Sequence, residues 1–191
     1  MTPVRVTAPA SLPITVQEAK DHTIIDFADD DGLVERLIKA ATDHLDGFTG
    51  ILGRCIVNQQ WRQDYTSWAS CLRLPFPNVS AVQVEYIDVD GATQTIDAAD
   101  YQVITDPRGV RVQFLSGFAG PALERRSLTP VQLTFTAGYG APDDVPWDIK
   151  AAICMLVAHW YEQRSAASDK EQRPMPFAVD VLLGKHRWVM L

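Results

Sequence analysis

The chain is predicted to be α+β: a helical bundle built from both chain ends, with an inserted antiparallel β-sandwich or small barrel. Three observations predict it. The stretch Val145 to Arg164 carries Ile149, Ala152, Ile153, Leu156, Val157 and Trp160 at three- and four-residue spacing, the period of a helix. Residues 55–140 instead alternate polar and apolar side chains over short runs separated by turn signals, the texture of antiparallel strands. Between the N-terminus and that strand region lie two further helical patterns. The organisation that follows is an extended N-terminal arm over residues 1–14, a helical body over 15–53 and 145–184, an inserted β-domain over 54–144, and a C-terminal tail over 185–191.

The arm has Pro3, Pro9 and Pro13 within its length, which favours extended backbone. Thr15 and Glu18 then have the spacing of a capping box, so a short helix is expected from Val16 to about Ile24. Asp29, Asp30 and Asp31 precede a longer helix with the stripe Val34, Leu37, Ile38, Ala41, Leu45 and Phe48; the three aspartates are read as helix caps, because no calcium-loop pattern is completed around them. Strands are expected at Cys55 to Val57, Gln60 to Tyr65, Leu72 to Leu74, Val79 to Val89, Thr93 to Ile96, Tyr101 to Thr105, Val110 to Phe114 and Val131 to Thr136, with Asp90-Gly91 as a hairpin turn. In the central helix Pro146 suits the first turn, and Asp148 meets the positive end of the helix dipole. That helix is apolar almost all round, so it needs neighbours on more than one side; burying about six of its side chains would contribute roughly 10 kcal/mol before entropy is subtracted. Ser165 to Pro176 is polar and reads as a mobile loop, Pro176 to Leu183 as a short further helix, and Lys185 to Leu191 as a basic and then apolar tail.

Composition narrows the function. The 191 residues are 47% hydrophobic, enough for a real core, and 17 basic against 24 acidic residues give a formal charge of -7. That balance argues against wrapping a nucleic-acid backbone. Cys55, Cys71 and Cys154 are an odd set with no C-x-x-C pair and read as reduced core thiols. No signal peptide and no bilayer-spanning run are visible, so folding in a cytoplasm is expected. His22, His44, His159 and His186 are scattered without metal-ligand spacing, and no nucleophile elbow, Walker loop or dinucleotide fingerprint occurs, so neither a cofactor nor a metal is expected. Trp61, Tyr65 and Trp68 cluster on one predicted strand and its end; with carboxylates drawn from Asp88, Asp90, Asp97 and Asp100 they leave a carbohydrate-binding or hydrolytic module as the competing class.

One order of motifs is distinctive. Leu74-Pro75-Phe76-Pro77-Asn78-Val79, Val84 to Gly91, Asp100-Tyr101, Thr136-Ala137-Gly138-Tyr139-Gly140, the helix ending Trp160-Tyr161-Glu162-Gln163-Arg164, and Pro176 to Leu183 follow one another along the chain. In that order they resemble the head-tail connector adaptor proteins of long-tailed phages and gene transfer agents, over about Thr15 to Arg187. The resemblance implies assembly without catalysis: a dodecameric ring that docks under the portal ring after DNA packaging and carries the next, stopper ring toward the tail. It implies a place in the neck of a virion or phage-like particle, reached from the host cytoplasm, with double-stranded DNA passing through without tight binding and with no membrane partner. An acidic protein suits a conduit that must not hold its cargo.

The site residues are assigned from their own chemistry. Lys185, His186, Arg187, Trp188, Val189, Met190 and Leu191 are expected to meet the portal, with Trp188 as anchor, because an apolar free end needs a partner. The alternative is that the tail folds back as an edge strand or onto its own helices. His159, Glu162 and Arg164, at the end of the central helix, are expected at ring contacts.

Overall fold

A computed structural model describes residues 1–163 and 177–189. Arg164, the predicted loop 165–176, Met190 and Leu191 lie outside the described residues. The chain divides into two compact units: a β-unit from Met1–Ala10 and Asn58–Gly138, joined by Val189, and a helical unit from the described parts of Ser11–Val57 and Tyr139–Trp188.

In the helical unit, α1 (Val16–Thr23) starts with the capping box that Thr15 and Glu18 predict: the Glu18 amide donates to Thr15 Oγ1 at 3.1 Å, and the Thr15 amide to Glu18 Oε2 at 2.6 Å. α2 (Asp31–Leu45) keeps Val34, Ile38, Ala41 and Leu45 fully buried, while Phe48 is exposed beyond its end. α3 (Trp147–Glu162) packs against α1, α2 and α4 (Phe177–Gly184). Its Ile149, Ala152, Ile153, Leu156 and Val157 join the α2 stripe and Val179 and Leu183 of α4 in one core. Three helical neighbours explain why α3 is apolar on nearly every side: each side that lacks water holds another helix.

Three local expectations change. Pro146 stands at the cap rather than in the first turn, with ψ 136, and its carbonyl accepts from the amides of Ile149 and Lys150. The aspartates before α2 do not cap it. Asp31 forms a 2.6 Å ion pair with the buried Lys20, whose ammonium also donates to the Phe27 carbonyl, and Asp30 accepts from the Tyr161 hydroxyl at 2.5 Å. A buried ammonium needs a carboxylate more than a helix end does, because a helix end can be hydrated. Finally, Cys55 to Val57 is no strand. The three residues are buried, the Ile56 amide donates to Asp46 Oδ1, and the Ile56 carbonyl accepts from the Tyr139 amide. An apolar run of three looks the same whether a sheet or a helix layer covers it.

The β-unit contains two antiparallel sheets. The first runs β1 (Val4–Thr7), β2 (Gln59–Tyr65), β8 (Val131–Ala137), β4 (Val79–Ile87), β5 (Thr93–Thr95); the second runs β3 (Cys71–Arg73), β7 (Gly109–Phe114), β6 (Tyr101–Asp106). β1 is the sequence's extended arm paired along β2, with all four side chains exposed. β8 is central, and its alternate residues Val131, Leu133, Phe135 and Ala137 are each 1% exposed or less. The β4–β5 connection turns at Gly91, which has φ +82, and Asp88 closes it by accepting from the amides of Asp90 and Ala92. Tyr101 of the second sheet donates its hydroxyl to the Val82 carbonyl of the first at 2.9 Å.

Because Ile153 has no exposed surface and sits within the shared core of the helices, Ile153→Ala should cost about 2–5 kcal/mol. Urea denaturation should show a lowered midpoint with an unchanged slope.

Candidate functional site

The tail after α4 is built from elementary pieces. α4 ends at Gly184, and the His186 amide turns back onto the Leu183 carbonyl at 2.9 Å. That turn brings Lys185 and His186 to Asp148 in the first turn of α3. Lys185 Nζ lies 2.6 Å and His186 Nε2 3.3 Å from Asp148 Oδ2. The other ring nitrogen of His186 lies 3.1 Å from the Tyr139 hydroxyl, and that hydroxyl accepts a hydrogen bond from the Arg54 guanidinium, which also stands 4.8 Å from the centre of the Tyr139 ring. A neutral imidazole with its proton on Nε2 satisfies the whole chain, each group donating to the next from Arg54 through Tyr139 and His186 to Asp148.

Arg187 pairs with Asp180 of α4 at 2.7 Å. The Trp188 amide then donates to the Leu52 carbonyl at 2.7 Å. This last contact depends on Gly53. It has φ +60, and a Cβ placed there would stand 2.4 Å from the Trp188 carbonyl oxygen, so a side chain is excluded both by the backbone and by the tail. Beyond the seat, Val189 is 71% exposed.

The electrostatics follow the contacts. The Lys185 hydrogen bond first, and the His186 bond second, hold the Asp148 carboxyl below its ordinary value. Burial pushes the Tyr139 hydroxyl up, against the pull of Arg54. In the α3 core, burial pushes the Cys154 thiol up to about 11, so it stays protonated. Within the seat the indole Nε1 of Trp188 and Nε of Arg54 are buried and find no hydrogen-bond partner among the described residues.

The structure therefore places Lys185, His186, Arg187 and Trp188 on the chain's own helical unit, the folded-back arrangement. The other candidates stand elsewhere. His159 is half-buried and Glu162 exposed near the C-terminal end of α3. They lie eleven and fourteen residues beyond Asp148, roughly 17–21 Å along the axis. Arg54, Tyr139 and Gly53 were not singled out as partners of the tail by sequence reasoning. The signal available in the sequence was the tyrosine in Ala137-Gly138-Tyr139-Gly140.

The aromatic surface needed by a carbohydrate module is not present around the named residues. Trp61 is 8% exposed and meets Phe76 edge-on at 4.9 Å. Trp68 meets Tyr86, Phe114 and Phe118 edge-on and donates its indole N–H to the Pro121 carbonyl. Tyr65 donates to the Arg73 carbonyl, and burial raises its hydroxyl well above the usual range. Asp88 and Asp97 close turns through backbone amides.

A family model described as Head completion protein matches residues 13–172. The chain belongs to the head completion protein family. As a family member it is a structural head-to-tail connector protein and not an enzyme. Among solved structures, it is 25% identical to a chain in the neck of an empty gene transfer agent particle computed with C6 symmetry, with TM-score 0.78 over 100% of this chain and 97% of that one. It also shares its fold, at 24% identity and with the same coverages, with chains from the virion of a native gene transfer agent particle, TM-score 0.79, and from the neck of a native particle computed with C12 symmetry, TM-score 0.71. No curated protein matches it.

In this head completion protein the Asp148 contacts set a pH dependence. A carboxyl whose folded-state value is lowered stabilises fully above its unfolded value, about 4, and loses that contribution as pH falls through the lowered one. Protection of the Trp188 amide, measured by hydrogen exchange corrected for intrinsic rates, should hold down to about pH 4 and fall below it.

Proposed function

We propose that the chain is the adaptor of a phage-like particle: it docks as a ring on the portal, links the DNA-filled capsid to the tail, carries the next, stopper ring, and forms part of the DNA conduit. The observation that carries this reading is the match along the whole chain to a protein of a gene transfer agent neck, joined to the family match. The symmetries of those necks, C6 and C12, favour a cyclic ring here, in which each copy offers its neighbour two different surfaces. A dodecamer suits the larger symmetry. Such contacts bury on the order of 800 Å² per partner.

The formal charge of -7 supports a conduit that lets double-stranded DNA slide past. Assembly takes place in the host cytoplasm and ends at the particle neck. Residues 185–191 remain the portal-docking segment in this reading, with Trp188 as anchor and Val189 already exposed to lead. His159, Glu162 and Arg164 serve the contacts between neighbouring copies.

Co-sedimentation with the portal ring encoded alongside it tests the reading. The full chain should sediment with the portal, and a version ending at Gly184 should stay in the supernatant while remaining folded by circular dichroism. Binding by both would move the docking surface to the helical unit, and binding by neither would overturn the adaptor function.

A further inference from the structure

The charged side chains of residues 185–187 and the main chain of Trp188 are already engaged. Lys185 and His186 share Asp148, Arg187 holds Asp180, and the Trp188 main chain is bonded to Leu52 and pressed against Gly53. On the reading that this segment meets the portal, it cannot do so from its present seat without exchanging these contacts. We propose that the seat is an autoinhibitory latch: the helical unit stores the docking tail, and the portal captures it by competing for the same groups.

Two features make the seat releasable. Its ion pairs are open to water, with the Lys185 side chain 65% and that of Arg187 43% exposed, and pairs of that kind hold weakly. The seat is also incomplete, because the buried Trp188 indole N–H and Arg54 Nε lack a partner among the described residues. A competing surface that gives the indole an acceptor therefore gains an interaction that the seat does not supply.

The latch also defines the chemistry of its competitor. Leaving the seat, the tail presents two fixed cations and an imidazole within three residues, then Trp188 and Val189. The portal surface that takes it would offer carboxylates in place of Asp148 and Asp180, beside an apolar slot with a hydrogen-bond acceptor for the indole. A basic or purely apolar slot would not replace what the tail gives up.

The test uses the full chain with Asp148→Asn, which removes the shared anion, and separately Gly53→Ala, which denies Trp188 its place. Two readouts are taken: tryptic cleavage after Lys185 and Arg187, and the association rate with the portal ring. Both variants should be cleaved faster at the tail and should associate about three- to fivefold faster than wild type, the order expected for losing a partly exposed ion pair, with dissociation little changed. Faster cleavage without faster association would overturn the latch and leave the contacts purely structural. Unchanged cleavage in both variants would overturn the seat itself. Absence of portal binding by the wild-type chain would overturn the adaptor reading, and the latch with it, and is told apart by the wild-type control. If Gly53→Ala fails to fold, Asp148→Asn alone decides, since its side chain is partly exposed and lies outside the helical core.

Discussion

A helix with almost no polar side cannot stand at a surface, and the helical unit is arranged around that constraint. Ile149, Ala152, Ile153, Leu156 and Val157 have 1% exposure or less, which closes one broad face of α3 to water, while Ala151, Met155 and Ala158 on its other side are half-buried. The chain meets the demand with pieces far apart in sequence: α1 and α2 come before the β-unit, α4 after residue 176. Each of those helices is amphipathic or short and contributes one covered face. Alone they would be marginal, since isolated helices of eight to fifteen residues are not stable in water. Their order comes from packing on α3.

The ends of α3 carry the polar chemistry that its middle excludes. At the start, Asp148 complements the helix dipole and also collects Lys185 and His186. Near the finish, Tyr161 reaches Asp30, and the edge of Trp160 meets His44 at 6.1 Å. The same helix thus fixes the core through its middle and the termini of its neighbours through its ends. Lys20 does similar work at the α1–α2 connection, where one buried ammonium ties the Phe27 carbonyl to Asp31.

The β-unit reaches its stability by another route. Its central strand β8 is flanked on both edges by β2 and β4, so its backbone groups are paired and its inward residues are sealed. Aromatic rings fill the space around the second sheet, where Phe114 stacks on Phe118 at 4.4 Å and Trp68 meets both. Edge-to-face packing of this kind uses the rings as volume. It removes from the surface the side chains that would otherwise suit stacking on a sugar or a base.

Periodicity, the Thr15–Glu18 box, the Asp90-Gly91 turn and the alternation in β2, β4 and β8 were legible in the sequence because each depends on residues within a few positions of one another. The order of motifs along the chain also carried the family. Tertiary structure alone decided the rest. Tyr161 and Asp30 are 131 residues apart, Tyr139 and His186 are 47 apart, and the fit of Gly53 beneath Trp188 depends on a backbone approach that no local pattern records. A charged or apolar side chain announces that it needs a partner; which distant partner meets it is settled only when the chain brings the two within a few ångströms.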